Sequence, residues 1–266
     1  MSRELIAKRK HLEGLIQDWP SALVAYSGGV DSAYLLWTAH QILGSKVTGI
    51  LGDSPSLPRS EHHAALRFAQ QYHLNLQVLP THELEDPSYA SNPSNRCFFC
   101  RSELFQKMEQ FARDRHVAVL AYGENADDAK EVRAGRIAAG QFKVVAPLRE
   151  ADLTKSEIRS LAREANLEIA EKPASPCLSS RLAPGLPVTL GRLAAIEKAE
   201  EIVRREGFRI VRVRHLGQKA VVQVSPEETP RLHDFNLQAR LSPALTAVGF
   251  DSVDFDPLGY QGAGLR

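Results

Sequence analysis

Cysteine is scarce in this chain, with three residues in 266. A low, odd count excludes a disulfide framework and points to reduced thiols that are available for chemistry. Long apolar runs are missing too. No stretch approaches the roughly 18 consecutive apolar residues that a membrane-spanning helix needs. The opening Met1-Ser2-Arg3-Glu4-Leu5 lacks the apolar core of a secretory signal. The cytoplasm is therefore the expected compartment, with no membrane partner. Neither sign of charge prevails: 33 basic and 32 acidic side chains leave a net +1. No overall field recruits nucleic acid, although a local basic groove is not excluded. No internal repeat or low-complexity segment interrupts the chain. Its 43% hydrophobic and 24% charged composition is that of a globular protein, long enough for one large domain or two modest ones.

What is present starts at residue 27. Ser27-Gly28-Gly29-Val30-Asp31-Ser32 directly follows the apolar run Leu23-Val24-Ala25-Tyr26. A strand that ends, two glycines and the start of a helix form a cradle for phosphate. Glycine lets the backbone approach a ligand closely, and N–H groups at a helix start favour an anion. Ser27 and Ser32 add hydroxyl donors. Asp31 would repel a bare phosphate, and it fits if Mg²⁺ sits between them. The bland alternative is an ordinary Gly-rich turn. The Lys-Ser/Thr of the Walker loop does not follow the second glycine. The motif instead resembles the PP-loop of ATP pyrophosphatases, a superfamily that includes GMP and NAD synthetases and tRNA thiolases.

Strand-like runs are expected near 22–26, 46–51, 75–79, 117–122 and 143–146. Helical patterns are expected at 3–18, 32–43, 59–72, 101–115 and 153–165. Alternation of this kind implies an α/β parallel sheet covered on both faces, with ligands at the carboxyl ends of the strands. Residues 166–190 break the rhythm with four prolines. Beyond them, helices at 191–206 and 236–248 and strands at 209–214, 219–224 and 252–255 suggest a small α+β module. The expected domains are 1–183 and 184–266, with 257–266 a frayed tail.

Cys97 and Cys100 form C-x-x-C, and Cys177 stands in Pro173-Ala174-Ser175-Pro176-Cys177-Leu178-Ser179-Ser180-Arg181. Three readings are open: a redox dithiol, an iron–sulfur or metal site, or buried apolar side chains. Zinc normally takes four ligands, and no nearby pair completes such a set. Three thiolates suit a cubane cluster with one open iron.

Four segments together resemble the LarE family of ATP-dependent sulfur transferases, which serve nickel-pincer nucleotide biosynthesis. They are the Ser27–Ser32 loop; Tyr122-Gly123-Glu124-Asn125-Ala126-Asp127-Asp128 with Arg133-Ala134-Gly135; Ala146-Pro147-Leu148 with Leu153-Thr154-Lys155-Ser156-Glu157-Ile158-Arg159; and Lys172 to Arg181 with Arg212-Val213-Arg214. The match covers most of 20–225. The segment around Cys177 is what selects the family, and Ala134 departs from an expected proline. The resemblance implies a PP-loop (adenine nucleotide alpha-hydrolase-like) domain followed by the small α+β domain. The implied substrate is a pyridinium dicarboxylate mononucleotide. ATP would adenylate one carboxylate, and sulfur would replace AMP to give a thiocarboxylate. Members with only the last cysteine are thought to sacrifice its sulfur and keep dehydroalanine. The resemblance to three-cysteine members implies a [4Fe–4S] cluster on Cys97, Cys100 and Cys177, and a homo-oligomer that could be a hexamer.

The expected roles follow. Ser27, Gly28, Gly29 and Ser32 hold ATP phosphates, Glu124 and Asn125 line the nucleotide, and Asp31 and Asp128 hold Mg²⁺, with Asp127 a rival to Asp128. Arg212 and Arg214, two apart on a strand, point to one face and can bracket the substrate phosphate. Ser180 and Arg181 would assist, and Glu200 would orient an arginine. The bland readings are a loop carboxylate for Asp128, a solvated sheet edge for the arginines and a solvated helix face for Glu200. A tRNA thiolase shares the loop and the cysteine pattern, but it needs a basic RNA surface that the near-neutral charge does not suggest. A non-catalytic nucleotide- or redox-sensing module is the reading from another class.

Overall fold

The computed structural model of the chain describes residues 2–130 and 134–260. In chain order, α1 (Arg3–Gln17) leads to β1 (Ala22–Ala25), α2 (Val30–Leu43) and β2 (Val47–Asp53). Next come α3 (Arg59–Gln71), β3 (Leu76–Pro80), the short α4 (Pro87–Ala90), α5 (Arg96–Arg115) and β4 (Val119–Tyr122). Helices α6 (Ala134–Gln141), α7 (Pro147–Glu150), α8 (Lys155–Glu164) and α9 (Leu190–Arg205) follow. The chain closes with β5 (Val211–Leu216), β6 (Lys219–Val224), α10 (Thr229–Leu232), α11 (Phe235–Thr246) and β7 (Ser252–Phe255).

The chain divides into two compact units. One comprises Met1–Ser54, Arg59–Glu83 and Asn95–Ser175; the other comprises Pro55–Pro58, Leu84–Ser94 and Pro176–Arg266. The break thus falls after Ser175 rather than after residue 183, and two upstream segments join the second unit. Hydrogen bonds explain this. Val188 N–H donates to Ala90 O at 2.7 Å, and the Asn92 amide donates to Ala183 O and Leu186 O at 2.8 and 2.9 Å. The irregular chain after Pro176 is therefore tied to Leu84–Ser94.

The first unit is built on a four-stranded parallel sheet in the order β3-β2-β1-β4. β1 is central and buried over Ala22, Leu23 and Val24, as a continuous apolar strand in a two-sided sheet should be. Leu23, Ile50, Phe105, Met108, Tyr122 and Ala146 share one core cluster. The expected strand at 143–146 reduces to a single parallel bridge, Ala121 to Val145. Lys143 has φ +53°, and Pro147 opens α7 two residues past the bridge, so there is no room for a ladder. α5 begins five residues earlier than expected, which places both C-x-x-C thiols on its first turns.

The second unit carries a sheet in the order β5-β6-β7, antiparallel then parallel. Alternate residues Val211 and Val213 of β5 enter a core with Val203, Phe208, Val222, Leu241 and Phe250. Residues 257–260 are not frayed as expected. Tyr260 N–H donates to Val224 O at 2.7 Å, and a Cβ on Gly259 would lie 2.8 Å from that same oxygen. Residues 261–266 of the expected tail, and Arg133 of the resembling stretch, lie outside the described residues. Among the described residues no helix is long and apolar enough to cross a membrane.

Candidate functional site

The loop after β1 has the geometry its sequence predicts. Gly28 sits at φ +72°, and a Cβ there would come 2.9 Å from the Ala65 Cβ, so only glycine fits. Gly29 is the N-cap of α2 and provides no side-chain cap. The Ser27 N–H donates to Ser32 Oγ at 3.2 Å, the two hydroxyls meet at 3.1 Å, and Ser32 Oγ donates to Gly29 O at 3.1 Å. The loop is thus braced from within. A second glycine makes the turn possible from the opposite side. A Cβ on Gly123, just past β4, would lie 2.7 Å from Ser32 N and 2.9 Å from its Cα. β4 and the first turn of α2 approach each other at backbone distance.

Asp31 faces this crevice. Its Oδ2 accepts from Lys155 Nζ at 3.1 Å and from the Asn125 amide at 3.3 Å. Its Oδ1 is buried without a hydrogen-bond partner. Burial pushes the Asp31 carboxyl above its ordinary value; Lys155 pulls it down, and the charge of Asp128 adds to the rise. A buried, orphaned carboxylate oxygen with a second carboxylate acting on it suits a hard divalent cation. Asp127, the rival, is engaged in holding the chain: its Oδ2 accepts the Lys155 N–H at 2.9 Å. Asn125 Oδ1 accepts the N–H groups of Asp127 and Asp128 at 2.9 and 3.2 Å, an Asx turn that fixes all three. Lys155 is the first residue of α8, and a Thr154–Glu157 capping box holds that end. Lys172 Nζ reaches Gly28 O at 2.9 Å and Glu61 at 2.6 Å.

Glu124 is 3% exposed, and its carboxylate is occupied. Tyr122 OH donates at 2.6 Å, Arg136 Nε at 3.0 Å and Arg149 at 2.6 Å. Burial works to raise the carboxyl, but the bonds from Tyr122 and Arg136 and the charge of Arg149 outweigh it and hold it below its ordinary value. It fixes two arginines rather than standing open to a nucleotide.

In the second unit, Cys177 caps a short 3₁₀ turn, Leu178–Arg181. Arg212 and Arg214 do share a face: their guanidiniums lie 5.1 and 6.0 Å from the centre of the Tyr260 ring. Arg214 also donates to Gln223 at 3.0 Å and to Ser180 O at 2.9 Å. Burial lowers both arginines from their ordinary value, and the nearby charge of Arg181 adds to this. Crowded, desolvated guanidiniums of one sign favour an anion. Arg181 departs from expectation, and Glu200 is not the solvated helix-face residue of its bland reading. Both side chains are fully buried and pair at 2.8 Å, and Arg204 meets the same carboxylate at 2.6 Å. Arg181 also donates to Cys177 O at 2.9 Å and to Pro176 O. It therefore anchors the cysteine turn and has no open face for a phosphate; the Glu200 carboxylate is the counter-charge that allows its burial.

Cys97 is exposed and Cys100 half-buried, three apart on α5. Among the described residues no three His, Cys, Asp or Glu side chains gather into a metal site. Cys97 and Cys100 alone are one thiolate short of the cluster that the resemblance implies, and Cys177 belongs to the second unit.

Comparison with known proteins then places the chain. No protein-family model matches it. An uncharacterized protein of Synechocystis sp., slr1717, is 34% identical over 263 residues, 98% of both chains. The chain belongs to the family of that protein. The pyridinium-3,5-bisthiocarboxylic acid mononucleotide synthase of Lactiplantibacillus plantarum is 29% identical over 97% of this chain and 93% of its own. A glutamine-hydrolyzing GMP synthase subunit from Methanocaldococcus jannaschii is 29% identical over 55% of this chain and 50% of its own. With the parallel sheet and the loop after β1, these relatives give the α/β PP-loop fold. Within this family member, sequence reasoning gave no role to Lys155, Lys172, Tyr260 or Tyr89. The first two lay in quoted motifs, so their charge next to an anion loop was a readable signal. The two tyrosines gave none.

Proposed function

We propose that the chain is an ATP-dependent sulfur transferase that converts a carboxylate of a pyridinium-3,5-dicarboxylate mononucleotide to a thiocarboxylate, a step toward a nickel-pincer cofactor. The observation that carries this reading is the end-to-end similarity to a synthase named for the bisthiocarboxylic acid mononucleotide. The phosphate loop and the thiol with its paired arginines support it.

A substrate carboxylate oxygen attacks the α-phosphorus of ATP, the bond to pyrophosphate breaks, and AMP remains on the carboxylate. The N–H groups of the first turn of α2, with Ser27 and Ser32, hold the phosphates. Asp31 and Asp128 would hold Mg²⁺, which supplies positive charge to the departing pyrophosphate. Asn125 orients Asp31, and Glu124 positions Arg136 and Arg149. Arg212 and Arg214 bind the substrate's own phosphate beside Ser180. Cys177 then supplies sulfur: Sγ attacks the activated carbonyl and AMP leaves with its bonding pair. Breaking Cβ–Sγ, with loss of the Cα proton, frees the thiocarboxylate and leaves dehydroalanine. The alternative sulfur source, a [4Fe–4S] cluster on Cys97, Cys100 and Cys177, rests on the three-cysteine resemblance.

The test is a single turnover with ATP and the pyridinium substrate, followed by mass spectrometry of the peptide that contains residue 177. We expect pyrophosphate release and a peptide lighter by the elements of H₂S, with Cys177→Ala inactive in transfer but active in adenylation. An unchanged peptide with product formed would move the sulfur source elsewhere. Absence of pyrophosphate release with this substrate would overturn the reading.

A further inference from the structure

Past β7 the chain stays on the second sheet and continues along β6 as a strap. Asp256 N–H donates to Val222 O at 2.9 Å, and Tyr260 N–H donates to Val224 O at 2.7 Å. Between them, Leu258 N–H donates to Asp256 Oδ1 at 2.8 Å and closes a turn. Gly259 follows at φ +71°, where an added Cβ would lie 2.7 Å from Thr229 Oγ1, so no side chain fits.

The strap delivers the Tyr260 ring to Arg212 and Arg214. Both guanidiniums lie over this one ring, 5.1 and 6.0 Å from its centre. The phenol oxygen also accepts a hydrogen bond from Arg212. A second link ties the strap to the same pair. Arg214 Nε donates to Gln223 Oε1 at 3.0 Å, and Gln223 Nε2 donates to Asp256 Oδ2 at 2.7 Å. Gln223 is 2% exposed, and only this orientation of its amide serves both partners. The carboxylate that closes the turn of the strap therefore also orients the acceptor of Arg214. All these residues belong to the second unit.

Two guanidiniums under one ring repel each other, and the charge of Arg181 acts on both. Long side chains of like charge splay apart unless something holds them. An aromatic ring meets the positive charge with the electron-rich face of its π system. A phosphate uses a different part of the group, the N–H donors at its edge. Ring and phosphate therefore do not compete, and the ring holds the pair together before the anion arrives, which lowers the cost of binding it.

We infer that Tyr260 is a positioning residue of the substrate-phosphate site, holding Arg212 and Arg214 side by side as a preformed fork for a phosphomonoester dianion. The inference rests on the reading of these two arginines as that site, and it adds the strap 256–260 to the site.

The experiment is equilibrium titration of the full-length protein without ATP. Three probes are used: the pyridinium dicarboxylate mononucleotide, its dephosphorylated nucleoside and inorganic phosphate. Phosphate binding is counted as the part that Arg214→Ala removes, which sets the loop after β1 aside. Tyr260→Leu removes ring and hydroxyl together. It is expected to weaken binding of the mononucleotide and of phosphate by at least about fivefold and to leave the nucleoside unchanged. Tyr260→Phe, which keeps the ring, is expected to fall between Tyr260→Leu and the wild type. A merely structural role would weaken mononucleotide and nucleoside together, or neither; either result overturns the proposal. Should Tyr260→Leu fail to fold, Gly259→Ala displaces the ring with every side chain of the fork intact, and the same criterion applies. Wild-type protein that takes phosphate but not the mononucleotide overturns the substrate reading alone, and Tyr260 is then judged on phosphate. Wild-type protein that takes neither overturns both.

Discussion

At the scale of single residues, the most informative atom is Asp31 Oδ1, buried and without a partner while Oδ2 carries Lys155 and Asn125. An acceptor in that state costs free energy unless something fills it. Asp31→Asn keeps the size and loses the charge. It is expected to abolish pyrophosphate release while thermal stability holds or rises, because burial already disfavours the ionised form. Release at a near-normal rate would remove Asp31 from the mechanism. Glu124 is the opposite case, since its carboxyl is held below the ordinary 4.5. The stability it contributes is therefore present above that value and lost as pH falls through the lower, folded value. Glu124→Gln is expected to cost about 2 kcal/mol at neutral pH and to flatten the stability profile on the acid side of 4.5. Denaturant melts at several pH values check both. Sequence could show that these residues are polar and near the loop. It could not show that Glu124 is saturated, because Arg136 and Arg149 lie 12 and 25 residues away.

At the scale of elements, legibility followed locality. The strand, loop and helix around Ser27–Ser32 were readable because strand, glycines and helix start are consecutive. The shared face of Arg212 and Arg214 was readable because a strand alternates with period two. The false strand at 143–146 failed because the run is apolar but too short and is stopped by a proline. The early start of α5 was hidden because its N-cap, Asn95, makes no side-chain capping bond. The burial of Arg181 escaped for a similar reason: a charged residue in a polar motif reads as exposed until Glu200, 19 residues on, is found beneath it. The meeting of β4 with α2 allows a sharper test. Gly123→Ala puts a methyl against backbone that cannot rotate away, and overpacking of this kind costs about 1–3 kcal/mol. We expect ATP affinity to fall further than that cost alone explains, because the first turn of α2 must shift. Thermal melts beside ATP titration check it, and an unperturbed affinity would mean that the loop tolerates the shift.

At the scale of the whole molecule, the proposed roles divide by unit: activation with the first, phosphate recognition and sulfur with the second. Arg212→Ala and Arg214→Ala should each weaken binding of the mononucleotide by about 1.5–3 kcal/mol, the loss of a charged hydrogen bond, and leave ATP binding nearly intact. Titrating both ligands into both variants decides the matter; a fall in ATP affinity alone would reassign the arginines.

The second unit is not contiguous in sequence, and its parts are made at different times. Leu84–Ser94 leaves the ribosome well before the chain it must grip, since Asn92 bonds to Ala183 and Leu186 across 91 and 94 residues. Tyr89 reaches Ser179 across 90. Until translation has passed Leu186, Tyr89 and Asn92 lack these downstream partners, whereas β1, α2 and β2 already have theirs. Closing so long a loop comes late, because its entropy is lost before its contacts form. The turn that carries Cys177 is therefore tied to Leu84–Ser94 only once most of the nascent chain exists.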